Sequence, residues 1–518
     1  MLNKIMLGFE LTSRRALVLS FALGFFVRLI PEVLAYPYPI GYDTVVYAWI
    51  VKRGVIWSHW TSVFSNWLLY AVWISLYNFT QLDLFLLLKL SGPLLYGLSA
   101  CGVYWFSSRG LNWDPRRSLI VAAFFVFQLA AFRISWDLLR NTLGMALLLF
   151  ALPFILKMES WKDVAGFVLL SVLVVFGHDL VSVVMFVVVF GVMLNDFLRR
   201  NKARVLRVSA AVSPSLVLFL IGIYLKVFSL QIGAKTNVIT AVPPIVHPAG
   251  LFFLANYFVG SSSGLYSGYF DLASQVLSVF TVLYLLLLPL VFVGFFRNRV
   301  LDTWTLFIFC ASFSCLVVPF FSLNWWERWL FLLVYPFTFY AANGVFKVLE
   351  SAKGVVRPSI GWLKWMKIST RTTVALSFCM ILLTSVYIGA TLQNDNYVVF
   401  SIPTISRYFS VAPAVPLRDV EGTIQVMEWL DGNMNNSSCL LANFAFVSWA
   451  LLYLDRKQTI VVYPTSVEEA LDLASSHGFN SVYLVWWGED IGWYWFTVPS
   501  SFEPVFQSDR IAAFQYSG

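Results

Sequence analysis

Long apolar runs separated by short charged turns leave this chain few folds to choose from. A helix that crosses a bilayer takes about 20 mostly apolar residues. Eleven such runs can be laid along the sequence, with cores near residues 16–31, 82–106, 119–132, 138–156, 164–176, 180–197, 205–228, 272–296, 304–321, 329–346 and 373–391. Composition agrees: 59% of the 518 residues are hydrophobic, 12% are charged and the mean hydropathy is +0.77, more apolar than a soluble globular chain. The expected fold class is a polytopic α-helical membrane protein of about 11 transmembrane helices. The first span is expected to be retained, because Lys4, Arg14 and Arg15 precede it and no small-residue cleavage site follows.

Charge supplies the orientation. From residue 393 onward there are five basic and thirteen acidic residues, a balance of −8, so the chain's +8 leaves +16 for the part before it. Lys and Arg collect in cytoplasmic loops, and here they collect in 109–117, 157–163, 199–207, 297–302 and 347–371. The N-terminus is therefore expected in the cytoplasm and the acidic tail outside. Nucleic acid is excluded as a partner, since the basic residues lie in short inter-span loops rather than on one soluble face. Five cysteines (Cys101, Cys310, Cys315, Cys379, Cys439) form neither a disulfide framework nor a zinc spacing.

The same reasoning divides the chain into a membrane domain, 1–392, and a small extracytoplasmic α/β domain, 393–518. Within the first, only one crossing fits between Asp43 and the basic loop 109–117. Residues 44–79, rich in Trp and Tyr, are then laid along the outer surface as two interfacial helices inside a first outer loop, 32–81. A second long outer loop covers 231–271. In the tail, 420–430 and 466–476 read as helices, the latter opened by Ser466 with Glu469 three residues on, and 459–463 and 481–487 read as strands.

Ionisable residues near membrane spans are costly, and on this topology they gather on the outer side. Asp43, beside Tyr42, follows the first span. Arg133, Asp137 and Arg140 lie between the third and fourth, His178 and Asp179 between the fifth and sixth, His247 in the long loop, and Glu327 and Arg328 before the tenth. The turns holding them are very short, where Gly, Ser or Asn would be the ordinary choice. Carboxylates beside arginines offer a base for a hydroxyl and cations for a phosphate leaving group. That is the chemistry of moving a sugar off a lipid phosphate.

The stretch 36–47, Y-P-Y-P-I-G-Y-D-T-V-V-Y, brings in a resemblance to a known family. G-Y-D-T-V-V-Y looks like the catalytic-aspartate motif of the GT-C superfamily of integral-membrane glycosyltransferases, which includes the oligosaccharyltransferase catalytic subunits and the protein mannosyltransferases. The likeness extends in architecture over most of the chain and in specific motif over a few residues. It implies Asp43 as the catalytic carboxylate, a base toward the acceptor or a ligand of a divalent cation such as Mg²⁺ or Mn²⁺. It implies Arg328, in N-W-W-E-R-W, as the arginine on the donor phosphate, and Asp137 as a second acidic position. Arg133 and Arg140 are placed with the donor phosphate, His178 with the catalytic groups, and Tyr42, Asp179, His247 and Glu327 around them.

The implied donor is a hexose or pentose on a polyprenyl (dolichyl or undecaprenyl) phosphate. The implied acceptor is a glycan, lipid or protein at the outer face of a prokaryotic cell envelope, and the likeness points to an archaeal one. The second loop lacks a paired D-x-D or E-x-D, and V-W-W-G-E-D (485–490) departs from the acceptor motif W-W-D-Y-G, with Trp486 and Trp487 read as a strand end. A monosaccharide transferase is therefore expected rather than a protein oligosaccharyltransferase. Two other classes stand beside it: a transporter or lipid-linked-sugar flippase, which would carry charges at mid-membrane and internal repeats, and a catalytically idle scaffold of an envelope complex.

Overall fold

The computed structural model describes residues 11–54, 64, 66–227, 238–240, 269–317, 326–351, 354–357, 367–389, 414–463, 466–488 and 497–517. The membrane part opens with α1 (Ser13–Leu34), then α2 (Thr44–Arg53), α3 (Leu68–Thr80) and α4 (Leu84–Trp105). It continues through α5 (Pro115–Val126), α6 (Leu129–Asp137), α7 (Leu139–Lys157), α8 (Trp161–Gly177), α9 (Asp179–Leu198) and α10 (Lys202–Val227). After the long loop come α11 (Tyr269–Tyr284), α12 (Leu288–Gly294), α13 (Arg299–Phe313), α14 (Trp326–Leu332), α15 (Val334–Glu350) and α16 (Thr370–Gly389).

Local chemistry sets many of these boundaries. Asp114 caps α5 by accepting from the Arg116 and Arg117 amides at 3.0 and 3.1 Å, with Pro115 at the position where a missing N–H costs nothing. Ser160 and Asp163 form a reciprocal capping box on α8.

Among the described residues, eight helices are long and apolar enough to cross a membrane, or ten if the bent pairs α5–α6 (65°) and α11–α12 (67°) each count as one span. The run that separates this from the expected eleven is α8, with 17 residues. The chain is a multi-pass helical membrane protein. Among the described residues between Asp43 and the basic 109–117 turn, only α4 and its continuation to Gly110, 27 residues, form a span, since α3 has 13 residues. A bend inside a membrane frees backbone groups that neighbouring helices must satisfy. At the α5–α6 break the Thr384 hydroxyl donates to the Phe127 carbonyl at 2.8 Å, and Gln128 Nε2 donates to the Thr338 hydroxyl at 2.8 Å.

From residue 414 the chain forms α17 (Val420–Asn433), β4 (Ser438–Asn443), α18 (Phe444–Tyr453), β5 (Thr459–Tyr463), α19 (Val467–Ser476), β6 (Ser481–Trp487), β7 (Phe502–Ser508) and β8 (Ile511–Tyr516). The segments expected at 420–430, 459–463, 466–476 and 481–487 are all there, and Ser466 caps α19 through the Glu469 amide at 3.2 Å. With β1 (Val238–Thr240) these strands form one sheet of order β1-β5-β4-β6-β8-β7, parallel from β1 to β6 and antiparallel beyond. The small antiparallel pair β2 (Val355–Val356) and β3 (Ile368–Ser369) lies apart from it. Pro504 is tolerated because β7 is an edge strand and is bulged beside it. Trp486 and Trp487 are buried strand residues, 0% and 2% exposed.

The parallel edge strand β1 comes from within 231–271, so residues 238–240 lie beside β5 of the C-terminal sheet. The C-terminal unit also grips α2. Lys52 Nζ donates to the Leu452 carbonyl at 2.8 Å, Arg53 Nη2 to the Leu454 carbonyl at 3.1 Å, and Arg456 Nη2 to the Arg53 carbonyl at 2.6 Å. Val45, Tyr47, Ala48 and Val51 share one apolar core with the sheet and with Trp449. The interfacial helix expected at the start of 44–79 is therefore covered by protein over its apolar face.

Candidate active site

Asp43 stands at the turn between the first span and α2. The turn depends on Gly41, whose φ of +96° favours glycine. A Cβ there would lie 2.5 Å from the Trp136 carbonyl oxygen and 2.9 Å from the Asp137 Cβ. Bare backbone at residue 41 is thus what lets the first outer loop press against the end of α6. Thr44 secures the turn, its hydroxyl donating to the Ile40 carbonyl at 2.9 Å and also to the Gly41 carbonyl.

The opposing surface is the last turn of α6. Arg133 and Asp137 are four residues apart and therefore share a helix face, with Arg133 Nη1 2.5 Å from Asp137 Oδ1 and both side chains buried. Leu138 then breaks the helix, and α7 starts with Arg140 directed back toward the site. The Arg140 guanidinium stacks over the Tyr70 ring at 5.2 Å, and its Nε is buried without a hydrogen-bond partner. Tyr47, one turn into α2, donates its hydroxyl to the Asp137 carbonyl at 2.7 Å. The Arg133 guanidinium lies 5.4 Å from the Phe331 ring, which ties α6 to the helix of Arg328.

The Asp43 side chain makes no hydrogen bond or ion pair among the described residues, although it occupies an N-cap position. Burial drives its carboxyl up from the ordinary 3.8 to about 6, and the nearby Asp137 charge adds to the rise. Arg328, Arg140 and Arg133 pull the other way, in that order. The Tyr47 phenol is pushed well above its usual range by burial and then by Asp43, so it remains a neutral donor.

The structure therefore brings together five of the expected residues, Asp43, Asp137, Arg133, Arg140 and Arg328, from four separate stretches of chain. Tyr42 is next to Asp43 and partly buried, and Glu327 shares the first turn of α14 with Arg328. His178 and Asp179 lie at the junction of α8 and α9. His178 is 5% exposed, its Nδ1 accepts from the Leu180 amide at 3.2 Å as the cap of α9, and it packs at Gly144, one turn beyond Arg140 on α7. Asp179 is the first residue of α9. His247 lies outside the described residues.

The divalent cation named for Asp43 fits this donor set poorly. Among the described residues no three His, Cys, Asp or Glu side chains converge. Of the two carboxylates one is already bonded to Arg133, and three guanidiniums surround them.

Sequence reasoning passed over a second cluster directly behind the site. Arg28 and Glu32, on one face of α1, pair at 2.9 Å, and Lys89 of α4 reaches Glu32 at 3.3 Å. Arg28 Nε and Nη2 also donate to the Ser135 carbonyl at 3.3 and 3.2 Å, and its guanidinium lies 4.9 Å from the Trp136 ring. Lys89 Nζ donates to the Tyr38 carbonyl at 2.5 Å. One carboxylate thus ties down both the incoming loop and the end of α6. The available signal was an i, i+4 acid–base pair inside an apolar run, with a lone lysine in the next. No protein-family model matches the chain, and no curated protein matches its sequence.

Proposed function

We propose that the chain is an integral-membrane glycosyltransferase of the GT-C type, transferring a sugar from a polyprenyl phosphate to a hydroxyl-bearing glycan, lipid or protein acceptor at the outer face. The observation that carries this reading is the unpaired Asp43 carboxylate, held beside Asp137 and within the field of three arginines from separate helices.

In the reaction the acceptor oxygen attacks the anomeric carbon and the bond from that carbon to the phosphate oxygen breaks. Asp43 takes the acceptor proton. With its pKa near 6 it is mostly ionised at neutral pH yet more basic than an ordinary carboxylate, which is the range a general base needs. The bonding electrons leave with the polyprenyl phosphate, whose growing negative charge is met by Arg328 and by the unpartnered Nε of Arg140. Burial raises Asp43, and the charge of Asp137, paired with Arg133, adds to the rise. Every step uses side chains of this chain, and none is routed through a metal.

The test is transfer by purified full-length protein given radiolabelled polyprenyl-phosphate sugars. Wild type is expected to transfer label and Asp43→Asn is not. Equal transfer by both removes Asp43 from the chemistry, whereas label crossing the membrane without transfer would favour a flippase.

A further inference from the structure

The end of the bundle away from Asp43 holds a second charged cavity. α9 runs from Asp179 to Asp196, about 25 Å at 1.5 Å per residue, close to the roughly 30 Å of a bilayer's hydrocarbon core. There Asn195 and Asp196, Arg204 of α10, and Arg297, Asn298 and Arg299 at the start of α13 surround a cavity of about 290 Å³.

Its charges are not balanced. Arg204 Nε lies 3.2 Å from Asp196 Oδ2 as an ion pair without a hydrogen bond, and Arg204 Nη2 donates to the Ile155 and Leu156 carbonyls at 3.0 Å each, so Asp196 is already matched by one arginine that is held in place. Arg297 and Arg299 have no ion pair or hydrogen bond among the described residues. The nearest acid on their own helix, Asp302, accepts from the Tyr340 hydroxyl at 2.5 Å. Asn298 caps α13 by accepting from the Val300 and Leu301 amides at 3.1 and 3.2 Å, which points the positive end of that helix at the cavity as well.

The geometry points to a binding site for the phosphate of an anionic phospholipid, in the leaflet opposite the proposed active site. Arginine forks suit phosphate oxygens, and the cavity holds the volume of about ten waters at ~30 Å³ each, enough for a glycerophosphate. A lipid is favoured over a free anion by what flanks the cavity. Leu194, Phe197 and Leu198 of α9 and Leu206 of α10 are exposed on the same turns, at 47%, 61%, 72% and 71%, where acyl chains would lie. The inference does not depend on the glycosyltransferase reading.

The experiment is thermal unfolding of the purified full chain in detergent, followed by tryptophan fluorescence, with added phosphatidylglycerol, phosphatidylcholine or inorganic phosphate. Ligand that binds only the folded state raises Tm. Phosphatidylglycerol is expected to raise it by several degrees and phosphatidylcholine by less than one degree. Arg297→Gln/Arg299→Gln is expected to abolish the rise, and Arg199→Gln/Arg200→Gln, equally basic but outside the cavity, to keep it. Should the double variant be poorly folded, Arg297→Gln alone, at an exposed position, is expected to lose about half of the rise. An undiminished rise in the Arg297 variants overturns the site. An equal rise with inorganic phosphate overturns the lipid as its ligand.

Discussion

The Arg28–Glu32–Lys89 cluster and the Asp43–Asp137–arginine cluster carry the same formal charge, +1, from two cations against one carboxylate and from three against two. They are also adjacent, joined through Ser135, Trp136 and Asp137. Their internal arrangement differs. In the first, the single carboxylate is bracketed by both cations at 2.9 and 3.3 Å, and Arg28 Nε and Nη2 and Lys89 Nζ reach backbone carbonyls of the two segments they join, with Arg28 Nη1 alone left over. In the second, Asp137 is satisfied by Arg133 while Asp43 and the Nε of Arg140 are left without partners. A carboxylate paired with its cations rigidifies the segments it joins, whereas one held without a partner is unstable until something enters. The inner cluster therefore reads as scaffold and the outer one as site.

The sharpest way to break that contrast is to remove one carboxylate from each. Asp43→Asn is expected to cost about 10³-fold in transfer rate, the scale of a lost general base, and yet to raise Tm. The sign follows from its pKa. Because the folded state holds this proton up to about pH 6 while an unfolded chain releases it near 3.8, ionised Asp43 destabilises the fold at neutral pH. The Tm gain of the variant should be full above pH 6 and shrink as pH falls toward 4. A fall in Tm at pH 7.5 would put Asp43 with the scaffold. Glu32→Ala is expected to do the reverse, lowering stability by about 3–5 kcal/mol by leaving two buried cations without their carboxylate. Adding Lys89→Met should recover part of that loss, read as Tm of the purified protein.

The contrast also explains how much could be read in the sequence. Spans were legible because apolar length is a property of the chain alone, and α3, with 13 residues, adds no crossing to the one expected there. The two bent pairs were not, because a 65° break at Phe127 is held by Thr338 and Thr384, more than 200 positions away. Asp43, Asp137 and the three arginines were found together because topology placed them at one end. His178 was placed in the site on the same argument, but topology gives an end and not a distance, and what the fold shows of it is its Nδ1 capping α9. The strand β1 inside the long loop, three residues with no alternation to read, is defined only by its partner β5.

Arg328 sharpens the outer half of the comparison. If it holds the leaving phosphate through two N–H groups, Arg328→Lys keeps the charge and loses the fork. About 10²-fold loss in transfer is expected, with little change in Tm, and the loss should appear in kcat rather than in donor KM, because the charge grows in the transition state. Equal KM-type losses with short-chain and full-length donors would place Arg328 in ground-state binding instead.

The smallest effect is expected where scaffold and site meet. Tyr47 belongs to α2, which the C-terminal unit covers, and its hydroxyl reaches the Asp137 carbonyl at 2.7 Å, so it sets the spacing between the two carboxylate-bearing segments. Tyr47→Phe removes one buried hydrogen bond, worth about 1 kcal/mol, and leaves the ring contact with Trp73 at 5.2 Å in place. A purely structural tyrosine would lower Tm and leave the pH dependence of transfer alone. A tyrosine that positions Asp137 against Asp43 would also move the acidic limb, expected near pH 6 in wild type, toward lower pH, because Asp137 would be freer to move away and would raise its neighbour less. A loss of transfer below tenfold together with that shift is the expected result. An unmoved limb would return Tyr47 to the scaffold, leaving Gly41 as the contact that holds the first outer loop against α6.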